Sequence, residues 1–317
     1  MPLNLAPATA TAAMPHTPAA QATSRQAARS RRSISLRLGE QPVADAFVML
    51  TAPLASDALQ QTESLNAHSD ADALHRLCTT LRRLHAIWWA FDPLLDEKHA
   101  RLIRKRFRRL ADIAGEPYEL DAACGLLFRA RKGGARFAPV VRTIDDERRD
   151  ASISSCRAIR KAAIDVVLRR ALADARRCLE TREVDQTLEE FALARVCQAD
   201  DALTRKEARL ARMKRVDAKT LRGIGEAAGR LQCLIELFSP VLVQRHRHTM
   251  ERLLAARATL GKLDDVVASE AVVRRMAARA ADKHAVDEAV RWLHKERKDE
   301  VRAAFKMLRN ARLKPSI

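Results

Sequence analysis

A row of basic side chains marks one face of a predicted helix in the first part of the chain. His75 and Arg82 are seven residues apart, and Arg83 and His85 follow. At about 100° per residue, His75 and Arg82 lie within about 20° of each other, opposite an apolar stripe. Guanidinium groups fixed along one face can donate hydrogen bonds to successive phosphate oxygens. The row therefore predicts a site for a polyanion.

A second copy of this helix occurs 147 residues later in the sequence and carries fewer cations. The segment Arg83–Leu95 begins with Arg-Leu and ends with Phe-Asp-Pro-Leu-Leu, and Arg230–Leu242 begins with Arg-Leu and ends with Phe-Ser-Pro-Val-Leu. In the second copy Arg222 stands at the position of His75. The repeat predicts two helical bundles related by a pseudo-twofold axis, with one shared central surface.

Apolar residues at helical spacing run through most of the chain after residue 40. The clearest stripe has steps of three and four residues and comprises Leu74, Leu77, Leu81, Leu84, Trp88 and Phe91. The next helix is predicted to end at Gly115-Glu116-Pro117. Further helices are predicted near 120–130, 145–180, 186–214, 219–238, 246–260, 264–281 and 284–311. Since no long segment alternates with period two, the prediction is an all-α fold with antiparallel packing.

The charge balance indicates what kind of partner the protein has. The chain holds 58 Lys+Arg against 40 Asp+Glu, a formal net charge of +18. Such an excess favours a polyanion such as nucleic acid, polyphosphate or an anionic surface, with a merely basic soluble protein as the alternative. We expect no membrane span and no secretory signal. The six cysteines form no CxxC pair, which fits reduced thiols in the cytoplasm.

Motifs for catalysis are missing from the sequence. We find no nucleophile elbow, P-loop, HExxH or acidic metal cluster. The prediction is a protein that is not an enzyme and uses neither a metal nor another cofactor. Residues 1–39 are predicted to form a disordered tail, first Ala/Pro/Thr-rich and then Arg-rich, followed by one helical domain over 40–313. Its halves are placed at about 40–215 and 216–313.

Several segments together resemble the CHAD family, the conserved histidine α-helical domain. They are Leu36–Gly39, Ser69–His75, Leu81–Leu84, Phe91–Leu95, Leu221–Pro240, Thr259–Asp265 and Arg291–Arg309. The resemblance covers roughly residues 36–313. It implies two four-helix-type bundles around a basic central surface that binds inorganic polyphosphate, and association with polyphosphate granules.

The resemblance and the basic faces give one set of candidate polyphosphate-binding residues. The main candidates are His75, Arg82, Arg83, Arg222 and Arg230, and the secondary ones are Arg104, Lys105, Arg108, Lys306 and Arg309. For each arginine the alternative is a solvated helix face, and His75 is equally well explained as a structural histidine. Both copies depart from the family pattern. In the first copy Cys78 and His85 stand at basic positions; in the second copy Arg222 replaces the histidine, and Gly225, Gly229 and Gln232 replace basic residues.

These departures keep two other functions open. One is a helical scaffold protein of storage granules whose phosphate binding is weakened by the loss of cations in the second copy. The other is nucleic-acid binding through the same surface and the Arg-rich tail. The expected location is cytoplasmic, with granule association as a further expectation.

Overall fold

The described part of the protein consists of helices joined by short connections. The computed structural model describes residues 39–67, 71–130, 134–181, 186–242, 247–280 and 282–312; the predicted tail up to residue 38 lies outside these ranges. The helices are α1 (Val43–Ala67), α2 (Ala71–Ala90), α3 (Glu97–Phe128), α4 (Ala138–Lys161), α5 (Ile164–Thr181), α6 (Leu188–Ala211), α7 (Ala218–Leu237), α8 (Arg247–Met276) and α9 (Lys283–Arg312). The described residues form no strand, which confirms the all-α prediction.

The repeated helices α2 and α7 have the same length and equivalent ends. Each has 20 residues, and both their first and last residues are separated by 147 positions. Leu84 of α2 and its equivalent Leu231 of α7 are both fully buried. Burying a leucine side chain contributes about 1.5–3 kcal/mol. The apolar stripe predicted from the sequence is therefore the face that packs in both copies.

Helix α3 does not end at the Gly115-Glu116-Pro117 turn, so that prediction was wrong. The helix continues to Phe128 with Pro117 inside it. A proline lacks the N–H that would bond to the carbonyl four residues earlier, here that of Ile113. The buried Ser155 of α4 donates its hydroxyl to this carbonyl at 2.8 Å. The neighbouring helix thus satisfies the group that the proline leaves unpaired.

Two other predicted boundaries also differ from the structure. The segments near 246–260 and 264–281 form the single helix α8, because buried Leu260, Leu263 and Val266 continue one packed face past Gly261. The segment 145–180 is instead divided between α4 and α5 at Ala163, whose φ is +46°. Packing explains the continuity of α8, whereas α4 and α5 are divided by the left-handed backbone conformation of Ala163.

The buried apolar residues form two clusters. The larger one joins α1, α2, α5, α6 and α7 to parts of α3, α4, α8 and α9, and Trp88 and Phe91 lie in it. The smaller one joins the end of α3 and most of α4 to the end of α8 and the start of α9. Both clusters draw helices from both predicted halves. The pseudo-twofold axis and the division near residue 215 stay predictions.

Candidate functional site

A basic cleft lies where the end of α2 meets α6 and α7. Its volume is about 640 Å³. Four cations line it, namely Arg195, Arg205, Lys206 and Arg230, together with the carboxylates of Asp92 and Glu97. Arg205, Lys206 and Arg230 are exposed to solvent, so their charged groups are available to a ligand.

Two arginines of the cleft lie beside the ring of Trp89. The guanidinium carbon of Arg195 is 5.0 Å from the ring centre, and that of Arg230 is 5.5 Å away. Both are within the range of a cation–π contact. Trp89 therefore contacts two of the four cations that line the cleft.

Arg195 also closes the carboxyl end of α2. Its Nε donates to the carbonyl of Ala90 at 2.8 Å, and its Nη2 donates to that of Trp89 at 3.1 Å. A cation is favourable there because the helix dipole is negative at that end. Burial lowers the pKa of Arg195, and the charge of Asp92 opposes this shift. Since guanidinium groups stay protonated in proteins, the group remains a fixed positive charge.

The charges of three arginines act on His85 of α2. Burial, followed by the charges of Arg104, Arg108 and Arg230, lowers the pKa of His85, while Asp112 raises it. The imidazole is therefore neutral near pH 7. Arg104 is largely buried, and its Nη2 lies 3.2 Å from Oδ1 of Asp92. Of the candidate residues from the sequence, Arg230 thus lines the cleft and Arg104 is paired with its carboxylate Asp92.

The first-copy candidates lie on other parts of α2. His75 is exposed, and its ring centre is 4.3 Å from that of Tyr118. Burial raises the pKa of Glu119, and the charge of Arg82, which is exposed, opposes this shift. Burial raises the pKa of Cys233 of α7 to about 11, and the charge of Arg83 opposes this shift. None of these residues lines the cleft.

The other candidates divide between α7, α3 and α9. Nε of Arg222 is 3.6 Å from Oδ1 of Asp264, so an acid balances this cation. Lys105 is exposed on α3. Lys306 and Arg309 lie on α9, where the guanidinium of Arg309 is 5.4 Å from the ring centre of Phe305. These four also lie outside the cleft lining.

A cation of α8 lies where the second copy has lost one. Gln232 is buried, and its amide oxygen accepts a hydrogen bond from Arg257 at 3.2 Å. Its amide nitrogen donates to Glu236 at 2.6 Å. Arg257 thus brings a guanidinium to the place of a missing basic side chain.

The sequence analysis missed Arg195, Arg205 and Lys206 because they lie on α6, outside the repeated helices. One signal was present in the sequence. Arg195 and Lys206 are eleven residues apart, which places them within about 20° on one helical face. The pattern alone does not show that this face lies opposite α7.

The comparison with family models matches residues 52–274 to the CHAD domain. The chain belongs to the CHAD family. Two solved structures share its fold at 17% sequence identity. The crystal structure of the CHAD domain from the plant Ricinus communis has a TM-score of 0.67 and covers 84% of this chain and 93% of its own. PptA from Streptomyces chartreusis has a TM-score of 0.60 and covers 86% of this chain and 100% of its own.

The comparison with curated proteins found no match. None of the described helices of this CHAD protein is long and apolar enough to cross a membrane. Within the same described ranges, no group of three or more His, Cys, Asp or Glu side chains is arranged to hold a metal ion.

Proposed function

We propose that this CHAD protein binds inorganic polyphosphate without acting as an enzyme, and that the cleft between α2, α6 and α7 is its main site. The observation that carries the proposal is the set of four cations around one cleft, with Arg104 beside it through its pair with Asp92. The CHAD family is linked to polyphosphate, and this supports the same ligand.

The chemistry of the cleft suits a phosphate chain. Arg205, Lys206 and Arg230 are exposed and hold no ion pair with any described residue, so they can donate to phosphate oxygens. Arg195 is fixed by the end of α2 and contributes charge without changing position. Asp92 is balanced by Arg104, which limits its repulsion of an anion. The cleft therefore keeps a net positive field.

A second candidate function is a scaffold of storage granules with weakened phosphate binding. The pair of Arg222 with Asp264 favours it, because this candidate cation is already balanced. Gly225 and Gly229 also offer no charge on α7. Localisation of a fluorescent fusion in granule-forming cells tests it, and a fusion that stays diffuse contradicts it.

The proposal is tested by titrating the protein with long-chain sodium polyphosphate at two salt concentrations. The variant Arg205→Gln/Lys206→Gln/Arg230→Gln should bind at least about tenfold more weakly, because charge-assisted hydrogen bonds are lost. Its log–log salt slope should fall by about 2, since three ion contacts are removed. DNA added as a competitor should displace the polyphosphate poorly.

The control removes the same charge elsewhere. Lys98, Arg106 and Arg157 are exposed and form no ion pair with a described residue. The variant Lys98→Gln/Arg106→Gln/Arg157→Gln should bind polyphosphate nearly as the wild type does. Equal losses in both variants would mean that net charge, and not the cleft, binds the ligand.

A further inference from the structure

Helix α9 carries a continuous stripe of cations on its solvent side. The stripe consists of Arg291, Lys295, Lys298, Arg302, Lys306 and Arg309, with steps of four, three, four, four and three residues. All six side chains are exposed. At about 100° per residue they fall within about 80°, and at about 1.5 Å per residue they extend over about 27 Å.

The stripe runs along the edge of a groove beside the start of α7. The groove has a volume of about 690 Å³ and is distinct from the cleft, with which it shares no lining residue. Lys298 and Arg302 of the stripe line it. Lys214, Arg215 and Lys219 face them from the α6–α7 connection and the first turn of α7, and all three are exposed.

Most of these cations are unpaired among the residues that the structure describes. In the stripe only Arg302 has an acidic partner, Asp299 at 3.0 Å. Asp217 also lines the groove, but its carboxylate accepts from the backbone N–H of Thr220 at 2.8 Å and so caps α7. The groove and the stripe therefore present a strong, open positive field.

The groove also has an apolar lining that an inorganic phosphate chain would not use. Val216, Val301 and Phe305 lie between the cations. Phe305 is half-buried, and the guanidinium of Arg309 lies 5.4 Å from its ring centre. A base can stack on an aromatic ring or on a guanidinium plane, whereas polyphosphate has no apolar face. Cations interleaved with a ring are typical of surfaces that hold single strands.

We propose that the α9 stripe and its groove bind single-stranded nucleic acid, separately from the polyphosphate cleft. The phosphates lie along the stripe, and at least one base contacts Phe305. The two surfaces are separated along α7 by Glu226 and by the pair of Arg222 with Asp264, which interrupt the positive field. The cations of each surface can therefore be neutralised by substitution without changing the other surface.

The test measures the anisotropy of fluorescein-labelled oligo(dT) titrated with the full chain. The variant Lys295→Gln/Lys298→Gln/Lys306→Gln should bind at least about tenfold more weakly, with a salt slope smaller by about 2. Phe305→Leu keeps an apolar side chain but removes the ring, and we expect at least about fivefold weaker binding. Neither change should alter the binding of polyphosphate in the cleft.

Two controls separate this proposal from the previous one. The cleft variant Arg205→Gln/Lys206→Gln/Arg230→Gln should keep oligo(dT) binding, and so should Lys98→Gln/Arg106→Gln/Arg157→Gln. Circular dichroism establishes that each variant is folded. Wild-type affinity of the stripe variant for oligo(dT) would overturn the proposal. So would an unchanged affinity of Phe305→Leu together with equal competition by polyphosphate or by an acidic peptide, because the stripe would then hold any polyanion.

Discussion

Helices α2 and α7 bury apolar side chains at equivalent positions but carry different side chains on their outer faces. At equivalent positions Leu84 and Leu231 are both fully buried, whereas Arg82 is matched by Gly229. The buried face is constrained because every side chain there fills space in the core. The outer face has no such packing constraint, so its charges can differ between the two helices. The comparison teaches that the same buried pattern is compatible with quite different charges on the outer face.

One equivalent pair does keep its charge on both helices. Arg230 of α7 lies beside Trp89 of α2, and the charge of Arg83 of α2 opposes the burial that raises the pKa of Cys233 of α7. Arg230 thus contacts the other repeated helix. The two environments differ, since Glu236 stands on α7 where α2 has Trp89, and only Arg230 lines the cleft.

The largest expected effect on the free energy of unfolding comes from the apolar face that each of the two helices buries. Leu84→Ala and Leu231→Ala should each lower the free energy of unfolding by about 2–5 kcal/mol, because each leaves a cavity in the core. Urea denaturation measures both. Leu254→Ala is the control, since its side chain is 51% exposed, and it should cost far less. A large loss for one helix only would show that the two stripes are not equivalent.

The ends of the two helices differ, and Arg195 tests that difference. The guanidinium closes the end of α2, whereas at the end of α7 Ser239 donates its hydroxyl to the Glu236 carbonyl at 2.9 Å. Arg195→Gln should lower the free energy of unfolding by about 1.5–3 kcal/mol, because charge-assisted hydrogen bonds are lost.

Ser239→Ala is the matched change at the end of α7. It should cost only about 1 kcal/mol, because a neutral hydrogen bond is lost. Both variants are measured by urea denaturation. Equal losses would contradict the assignment of Arg195 as the stronger cap.

Gly229→Arg would restore on α7 the cation that α2 has at Arg82. A Cβ at Gly229 meets no atom within 4 Å outside its own helix backbone, so the side chain fits. We expect several-fold tighter polyphosphate binding at low salt and a gain of up to about 1 kcal/mol in stability, since glycine is a poor helix former. Gly229→Gln is the control, with the gain in stability but no added charge. Equal affinity of the two variants would exclude an electrostatic role for this face.

The smallest expected effect is a pH dependence of the free energy of unfolding, to which α2 should contribute and the equivalent position of α7 should not. The position of His85 is occupied on α7 by Gln232, which does not titrate. Burial and the charges of Arg104, Arg108 and Arg230 lower the pKa of His85 below its usual 6.5.

The sign of the effect follows from which state binds the proton more tightly. Because the unfolded chain binds the proton more tightly, stability should fall as the pH decreases below 6.5. The variant His85→Gln should remove at most about 1.4 kcal/mol per pH unit of this dependence. Urea denaturation between neutral and mildly acidic pH measures it, and identical slopes would contradict the assignment.

Much of the fold followed from spacing, and the errors arose where packing overrode a local signal. The sequence predicted the buried stripe of α2 and its recurrence in α7, and the structure confirmed both. It also predicted that α3 would end at Pro117, which was wrong because Ser155 of α4 satisfies the carbonyl of Ile113. The local sequence around Pro117 does not indicate this hydrogen bond, because Ser155 lies 42 positions from Ile113.

The candidate site was predicted only in part. Arg230 and Arg104 were named from the sequence, and in the structure Arg230 lines the cleft while Arg104 pairs with the cleft residue Asp92. Arg195 and Lys206 were missed, since the repeat directs attention to α2 and α7 and not to α6. The remaining candidates are spread over other surfaces.

By itself the sequence determined the helical class, the repeat, the buried stripes and the net charge of +18. These are properties of local spacing and of composition, which need no knowledge of neighbours in space. Only the tertiary structure decided which cations share a cleft, which are balanced by an acid such as Asp264, and which lie along the groove beside α9. The physical reason is that a site for a polyanion depends on distances between side chains of different helices, and packing sets those distances.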